Sequence, residues 1–349
     1  MTARAFVLGS IALAAQALSA HALTTPPASR LSPPERAALG GVGAGWIALG
    51  ARTFDAANAR QAVGALGVAT ATFEDNIREP AAGFLELTSP LFVLQGVLLL
   101  ALAANVFASK DAARVSSSIA LASGTTLLAL ALAVVAGAPV ENGFEFITDP
   151  LFITAAVALK AAGSTEENAF ELIRGDVVEL ATDTDSVAPE DGYARTLATF
   201  YRGSCLVGIL VGASFIFSPI NPIGIFDTES PATHFFRALC GISIALVLAP
   251  AQSILWRAAK AGELSANSSR ALNAALGLAS GLLVVDGRLQ VEEGTRQFAA
   301  LDPSSAIAKA VELGDVGRSV TNTDAAFSVG LVVALFYVAQ ALVPPARRV

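Results

Sequence analysis

The chain has 349 residues, of which 54% are hydrophobic and only 15% are charged, and its mean hydropathy is +0.61. Soluble domains carry about 25% charged residues, so this composition excludes an ordinary soluble protein. The formal net charge is −7, and no basic patch suggests a nucleic-acid partner.

The first 36 residues have the composition of a targeting sequence. Arg4 precedes an apolar run over 5–18, and small residues at 20–22 end it, which is typical of a secretory signal. Residues 23–36 are rich in serine, threonine, arginine and proline, with Glu35 as their only acid, as in a transit peptide. Together they resemble the bipartite presequence of plastid proteins in algae with complex plastids. The resemblance implies plastid import, and an ordinary secretory signal with a disordered tail is the alternative.

Four apolar segments follow and form the first predicted membrane unit, residues 37–163. A helix needs about 20 apolar residues to cross a hydrocarbon core of about 30 Å. The second and third segments have this length, whereas the first is short and the fourth contains Lys160. The four predicted transmembrane helices cover residues 37–51, 90–108, 114–138 and 147–163.

Residues 164–192 form an acidic linker, with nine acidic side chains against Arg174. Ser164 and Glu167 have the spacing of a helix capping box, and apolar residues recur on one helical face up to Leu180. The pattern predicts an amphipathic helix that binds a partner or covers its own loop. The candidate partner-binding residues are Glu166, Glu167, Glu171, Asp176 and Glu179.

The second predicted unit, residues 193–343, contains four more apolar segments, and residues 344–349 form a basic tail. Its two cysteines, Cys205 and Cys240, are the only ones in the chain and fall at different membrane depths, so we expect them to be buried and unpaired. The predicted helices cover residues 203–218, 233–256, 271–286 and 325–343.

Charge placement predicts the orientation of these eight spans. With alternating spans, one face of the membrane receives most of the Lys and Arg residues of the short loops, which marks the inner face by the positive-inside rule. Both mature termini are then stromal. The basic residues on this face are Arg30, Arg36, Lys110, Arg114, Arg257, Lys260, Arg270, Arg347 and Arg348.

Short matched sequences indicate an internal duplication. Ser89-Pro90 and Ser230-Pro231 are each predicted to open the second helix of a unit, and Thr148-Asp149 and Thr323-Asp324 to open the fourth. Helices one to four then map onto helices five to eight in the same orientation, as in a parallel repeat. The predicted fold is therefore an all-α membrane protein with about eight transmembrane helices, arranged as two tandem parallel four-helix repeats.

The sequence shows no catalytic constellation and no metal site. Once the presequence is removed, His234 is the only histidine, and no phosphate-binding or dinucleotide-binding motif occurs. We expect no Asp or Glu deep within a span, and we expect Lys160 and Arg237 to reach a membrane surface from near their helix ends. The chain is therefore predicted not to be an enzyme.

Polar residues inside spans are functional candidates. In a thylakoid membrane, four of them are candidate ligands for a chlorophyll magnesium, and a carotenoid is the other candidate cofactor. The helix motif of light-harvesting antenna families, Glu-x-x-[His/Asn]-x-Arg, does not occur in the chain. The candidate ligands are His234, Asn105, Asn273 and Gln95.

Two functions follow as hypotheses. The first is a non-catalytic plastid membrane protein, in the thylakoid, that acts as an accessory, linker or assembly subunit of a photosynthetic supercomplex. Its partners would be membrane lipids and photosystem or antenna subunits. The second is a transporter of a small solute or ion, suggested by the duplication and by Pro250 within the sixth span.

Overall fold

The structure is a computed structural model that describes residues 31–65, 80–137, 144–163, 169–182, 192–217, 231–299 and 316–343. All regular structure in these ranges is helical, as the apolar segments predict. The presequence up to residue 30 and the tail at 344–349 lie outside the described residues.

Each of the eight predicted apolar segments coincides with a helix. Two further helices, Ala56–Ala65 and Ala169–Thr182, lie outside the predicted spans. The helices are α1 (Pro33–Thr53), α2 (Ala56–Ala65), α3 (Pro80–Ala103), α4 (Ser109–Val135), α5 (Phe144–Gly163), α6 (Ala169–Thr182), α7 (Gly192–Phe217), α8 (Pro231–Ser243), a π-helical turn (Ile244–Leu248), α9 (Ala249–Ala261), α10 (Asn267–Ala299) and α11 (Val316–Leu342).

Five helical stretches of the described residues have the length and apolar composition needed to cross a membrane. One of them joins α8, the π turn and α9 into a single helix. In α11, a shorter apolar stretch runs over Phe327–Leu342. The five stretches are Ala81–Ala103, Ser109–Val135, Gly192–Phe217, Thr233–Ala261 and Asn267–Leu289.

Two helix starts differ from the prediction because proline lies inside the helix. Pro90 is an interior residue of α3 and Pro150 an interior residue of α5. Proline removes one backbone hydrogen bond, but membrane helices tolerate it where nearby hydroxyl groups and neighbouring helices compensate. In α3 the Ser89 hydroxyl donates to the Leu85 carbonyl at 3.0 Å and lies 2.7 Å from the Thr53 hydroxyl of α1, whereas the carbonyl that Pro90 leaves without its usual donor is that of Glu86.

The helices divide into inner and outer ones. Most of α3 and of the α8–α9 helix is buried, and α3 packs against α1, α8 and α10. The outer helices α4, α5, α7 and α11 instead expose large apolar side chains, for example Leu128, Phe152, Leu210 and Val332, each of them at least 60% exposed. An apolar exterior of this extent matches a lipid environment and not water.

Glycine pairs set the closest helix crossings. A Cβ atom on Gly96 of α3 would lie 2.5 Å from the Gly43 carbonyl oxygen of α1, and one on Gly241 of α8 would lie 2.5 Å from the Gly212 carbonyl oxygen of α7. Both distances are shorter than any carbon–oxygen contact allows. Glycine is therefore required at these crossings, as small residues are at close helix contacts in membranes.

The π turn between α8 and α9 precedes Pro250. Because Pro250 has no N–H, it cannot donate to the Leu246 carbonyl one helical turn earlier. The Ser118 hydroxyl of α4 donates to that carbonyl instead. The first predicted unit thus supplies the partner for a backbone group that the second unit leaves open.

Two helix-ending turns have the same hydrogen-bond pattern. Asn105 after α3 and Gly262 after α9 are left-handed, with φ of 54° and 70°. In each turn the residue after the left-handed one donates to a carbonyl five residues back, Val106 to Ala101 and Glu263 to Ala258. This is the Schellman motif, in which glycine and asparagine are preferred at the left-handed position.

Candidate functional site

The acidic helix α6 is bound to the rest of the chain by ion pairs. Asp176 lies between two arginines: its Oδ2 is 2.8 Å from Nε of Arg114 in α4, and its Oδ1 is 2.7 Å from Nη2 of Arg257 in α9. Glu179 lies 2.6 Å from Nη1 of Arg257 and 3.4 Å from Nζ of Lys260. We call the end of the bundle formed by these residues the linker face.

Further contacts fix the linker face. Arg202 of α7 donates to the Leu180 carbonyl near the end of α6, at 2.9 and 3.2 Å. The buried Trp256 ring has the Arg257 guanidinium 5.5 Å and the Lys260 ammonium 5.0 Å from its centre, which are cation–π distances. Helix α6 therefore joins α4, α7 and α9.

Burial raises the pKa of Asp176 above its ordinary value of 3.8, while Arg114 and Arg257 act in the opposite direction. The carboxyl is 13% exposed, so removing water from the charged form outweighs the two ion pairs. Asp176 therefore binds a proton more readily than a carboxyl on an open surface.

The predicted partner-binding acids fall into three groups. Asp176 and Glu179 form the internal ion pairs just described. Glu171 is exposed on α6. Glu166 and Glu167, with the predicted capping box at Ser164, lie outside the described residues.

Two of the candidate chlorophyll ligands have structural roles. Asn105 is the left-handed residue that ends α3. Asn273 of α10 is fully buried, accepts a hydrogen bond from the Tyr201 hydroxyl at 2.7 Å and donates to the Ser269 carbonyl at 3.0 Å. Its amide oxygen, which is the atom a magnesium ion would need, is already a hydrogen-bond acceptor.

His234 and Gln95 differ in exposure. His234 is exposed at the start of α8, and its Nδ1 lies 2.7 Å from Nη2 of Arg237. Arginine is always a donor, so Nδ1 accepts this hydrogen bond. Gln95 is buried in α3, and its Nε2 has no hydrogen-bond partner among the described residues.

Comparisons with known protein families, with curated proteins and with solved structures find no match to this chain.

Two carboxylates are buried near the ends of candidate spans, whereas the prediction concerned acidic residues deep within a span. Because α3 begins at Pro80 and not at residue 90, it includes Glu86, which is 2% exposed. Asp286, at the end of a predicted span, lies within α10 and is 1% exposed. Burial of ionisable groups inside membrane helices is costly and is associated with function.

Arg237 also differs from its prediction. It does not reach the surface, because it is 1% exposed within α8, whereas the Lys160 side chain is 69% exposed, as expected, and lies 3.5 Å from Glu35. The expectation for the cysteines is confirmed, since Cys205 and Cys240 are both buried and free.

A cluster of tyrosine and amide side chains in the second unit was not predicted as a site. Gln252 of α9 donates to the Tyr337 hydroxyl of α11 at 3.1 Å, and Gln340 of α11 donates to the Tyr193 hydroxyl of α7 at 2.8 Å. Each hydrogen bond joins residues far apart in the chain. Sequence spacing within one helix therefore gives no indication of these pairs.

Proposed function

We propose that this chain is a non-catalytic integral membrane protein of the plastid, located in the thylakoid, that serves as an accessory, linker or assembly subunit of a photosynthetic complex. One observation carries the proposal: polar side chains of neighbouring helices hydrogen-bond to one another across helix boundaries. Trp46 donates to Thr154 at 2.8 Å and Tyr201 to Asn273 at 2.7 Å. Such bonds fix helix positions, which is the task of a scaffold subunit.

The location rests on the presequence, and the orientation has support from contacts at the linker face. If the spans alternate, the start of α4 and the end of α9 lie at the same membrane surface, and Asp176 bridges them. The start of α10 and the end of α11 also meet there, because Arg270 donates to the Ala341 carbonyl at 2.9 Å. We propose eight spans, with α1 and α5 included and both mature termini stromal.

We further propose that the eight spans are two tandem four-helix repeats. The first repeat contains α1, α3, α4 and α5, and the second contains α7, the α8–α9 helix, α10 and α11. In each, the first and second helices cross at a glycine pair and a Schellman turn joins the second helix to the third.

Contacts between the halves have the reciprocity that a two-fold axis requires. Helix α3, the second helix of the first half, packs on α10, the third helix of the second half. The equivalent contact in the opposite sense is between the α8–α9 helix and α4, and it also occurs. The two second helices, α3 and α8, pack on each other at the centre.

Native electrophoresis of mildly solubilised membranes tests the subunit function. A tagged chain is expected to migrate with a pigmented photosystem or antenna band. Glu171→Lys, on the exposed face of α6, is expected to weaken this association, whereas Leu128→Ala on the lipid-facing side of α4 serves as a matched control. A colourless, freely migrating protein would contradict the proposal.

Transport of a small ion or solute is the second candidate, and the buried Glu86, Asp286 and Arg237 favour it. Proton flux into vesicles that contain purified protein and a pH-sensitive dye is the test. A transporter predicts flux that Glu86→Gln and Asp286→Asn abolish and that Glu171→Gln leaves intact. Flux no greater than in protein-free vesicles rejects proton transport.

A further inference from the structure

One buried amide in the second half has an open hydrogen-bonding position. Gln252 is 6% exposed, and its Nε2 donates to the Tyr337 hydroxyl. Its Oε1 has no hydrogen-bond partner among the described residues. A buried acceptor of this kind is uncommon in proteins and calls for a donor.

The open oxygen faces a glycine. A Cβ atom on Gly208 of α7 would lie 3.5 Å from Gln252 Oε1 and 3.3 Å from the Ala249 Cβ. Ser204, one helical turn earlier on α7, hydrogen-bonds the Tyr337 hydroxyl. Gln252 thus lies beside Gly208 and, through the Tyr337 hydroxyl, is linked to Ser204; we call these four residues the amide site.

Aromatic rings lie between the amide site and the outer surface. The Phe200 ring of α7 lies 4.4 Å from the Phe336 ring of α11, and the Tyr201 ring lies 6.0 Å from the Tyr337 ring. Both phenylalanines are half-buried, and their neighbour Leu335 is 58% exposed. The seam between α7 and α11 is thus apolar and aromatic from the lipid-facing surface inward to the amide site.

The chemistry of the site selects a hydroxyl group. As the amide is placed, the open atom accepts a hydrogen bond. If the amide is rotated by 180°, its oxygen can accept from Tyr337 and the open atom becomes a donor. A hydroxyl group both donates and accepts, so it satisfies either arrangement.

We propose that the amide site binds the terminal hydroxyl group of a long apolar molecule from the bilayer. The hydroxyl group donates to Gln252 Oε1 opposite Gly208, and the apolar body lies along Phe200 and Phe336 between α7 and α11. A water molecule offers the same donor, but it would leave the aromatic seam without a role. The proposal does not depend on the plastid location or on membership of a complex.

Photolabelling of the purified full-length protein tests the proposal. The probe is hexadecanol with a photoreactive diazirine near its hydroxyl end, and the reference is the corresponding hexadecane without the hydroxyl. We expect about tenfold more labelling of α7 and α11 peptides by the alcohol, the factor that one added hydrogen bond supplies.

Three variants locate the effect. Gln252→Leu removes the acceptor, and Gly208→Ser places a protein hydroxyl beside it, so both should reduce labelling by the alcohol to the level of the alkane. Leu128→Ala removes a lipid-facing side chain of α4 and should leave the labelling unchanged. If Gln252→Leu fails to fold, Gly208→Ser decides alone.

Two results would overturn the proposal. One is equal labelling by the alcohol and the alkane. The other is alcohol labelling that persists in folded Gln252→Leu or Gly208→Ser protein. Equal labelling of the unmodified protein by the alcohol and the alkane, together with greater thermal stability of Gly208→Ser, would identify water as the occupant and also reject the lipid-soluble ligand.

Discussion

At the scale of single residues, the ion pairs of Asp176 are expected to be asymmetric in their effect on stability. Removing the acid with Asp176→Asn also removes the cost of burying a charge, so the free energy of unfolding should change by no more than about 1 kcal/mol. Arg114→Gln leaves a buried carboxylate with one partner fewer and should cost about 3 kcal/mol. Thermal unfolding of the two variants in detergent makes the comparison, and equal losses would contradict it.

The raised pKa of Asp176 gives a pH dependence of known sign. At pH values between the ordinary pKa and the raised pKa of Asp176, the folded protein keeps a proton that the unfolded chain has released. The stability that Asp176 contributes is therefore complete below its ordinary pKa and is lost as the pH rises through the raised value. Asp176→Asn should remove this step from a profile of unfolding temperature across the acidic range, and an unchanged profile would exclude Asp176 as its source.

Asn105 allows a direct comparison between a structural role and pigment binding. Its left-handed conformation suits glycine and disfavours residues with an ordinary Cβ. Asn105→Gly should thus preserve stability, whereas Asn105→Ala should cost about 1 kcal/mol. Pigment content that falls in purified Asn105→Gly protein of unchanged stability would instead support the role as a magnesium ligand.

At the scale of helices, the glycine crossings are expected to tolerate no added carbon. Gly96→Ala and Gly241→Ala each place a Cβ atom 2.5 Å from a carbonyl oxygen of the crossing helix, so the helices must separate. We expect a loss of about 3 kcal/mol or more in each variant, measured by unfolding in detergent. Gly124→Ala is the matched control, because no atom lies within 4 Å of its added Cβ, and similar losses in all three would contradict the crossing geometry.

The positions of the helices were predictable from the sequence, but several of their ends were not. Long apolar segments located α3 and α4 because lipid imposes a minimum length. The start of α3 was missed since Pro90 looks like a first-turn residue, and the Thr53 hydroxyl that contacts Ser89 beside it comes from another helix.

The candidate site was less predictable than the fold. The acidic face of α6 was found from its charge and its apolar period, yet its partners Arg114 and Arg257 lie 62 residues before and 81 residues after Asp176. Gln252 is one of several polar residues inside the predicted spans, and no sequence motif marks it. Its open oxygen depends on Gly208 and Tyr337, which belong to other helices.

At the scale of the whole molecule, the proposed repeats predict that the chain can be divided. A break between residues 183 and 191 separates the two halves after α6 and leaves the contacts of α3 with α8 and α10 intact. We expect the two fragments, expressed together, to purify as a complex through a tag on either one. Recovery of the tagged fragment alone would show that the halves depend on a continuous linker.

The two arginines that hold Asp176 also impose an order on synthesis. Arg114 is translated before α6, whereas Arg257 follows it only after α7 and α8 have been made. An incomplete chain that ends before α9 therefore presents α6 with half of its basic partners and leaves Glu179 without the two that it contacts in the finished protein. The linker face can close only after the chain has been made through α9, so an exposed acidic helix at this surface distinguishes chains that end before α9 from finished ones.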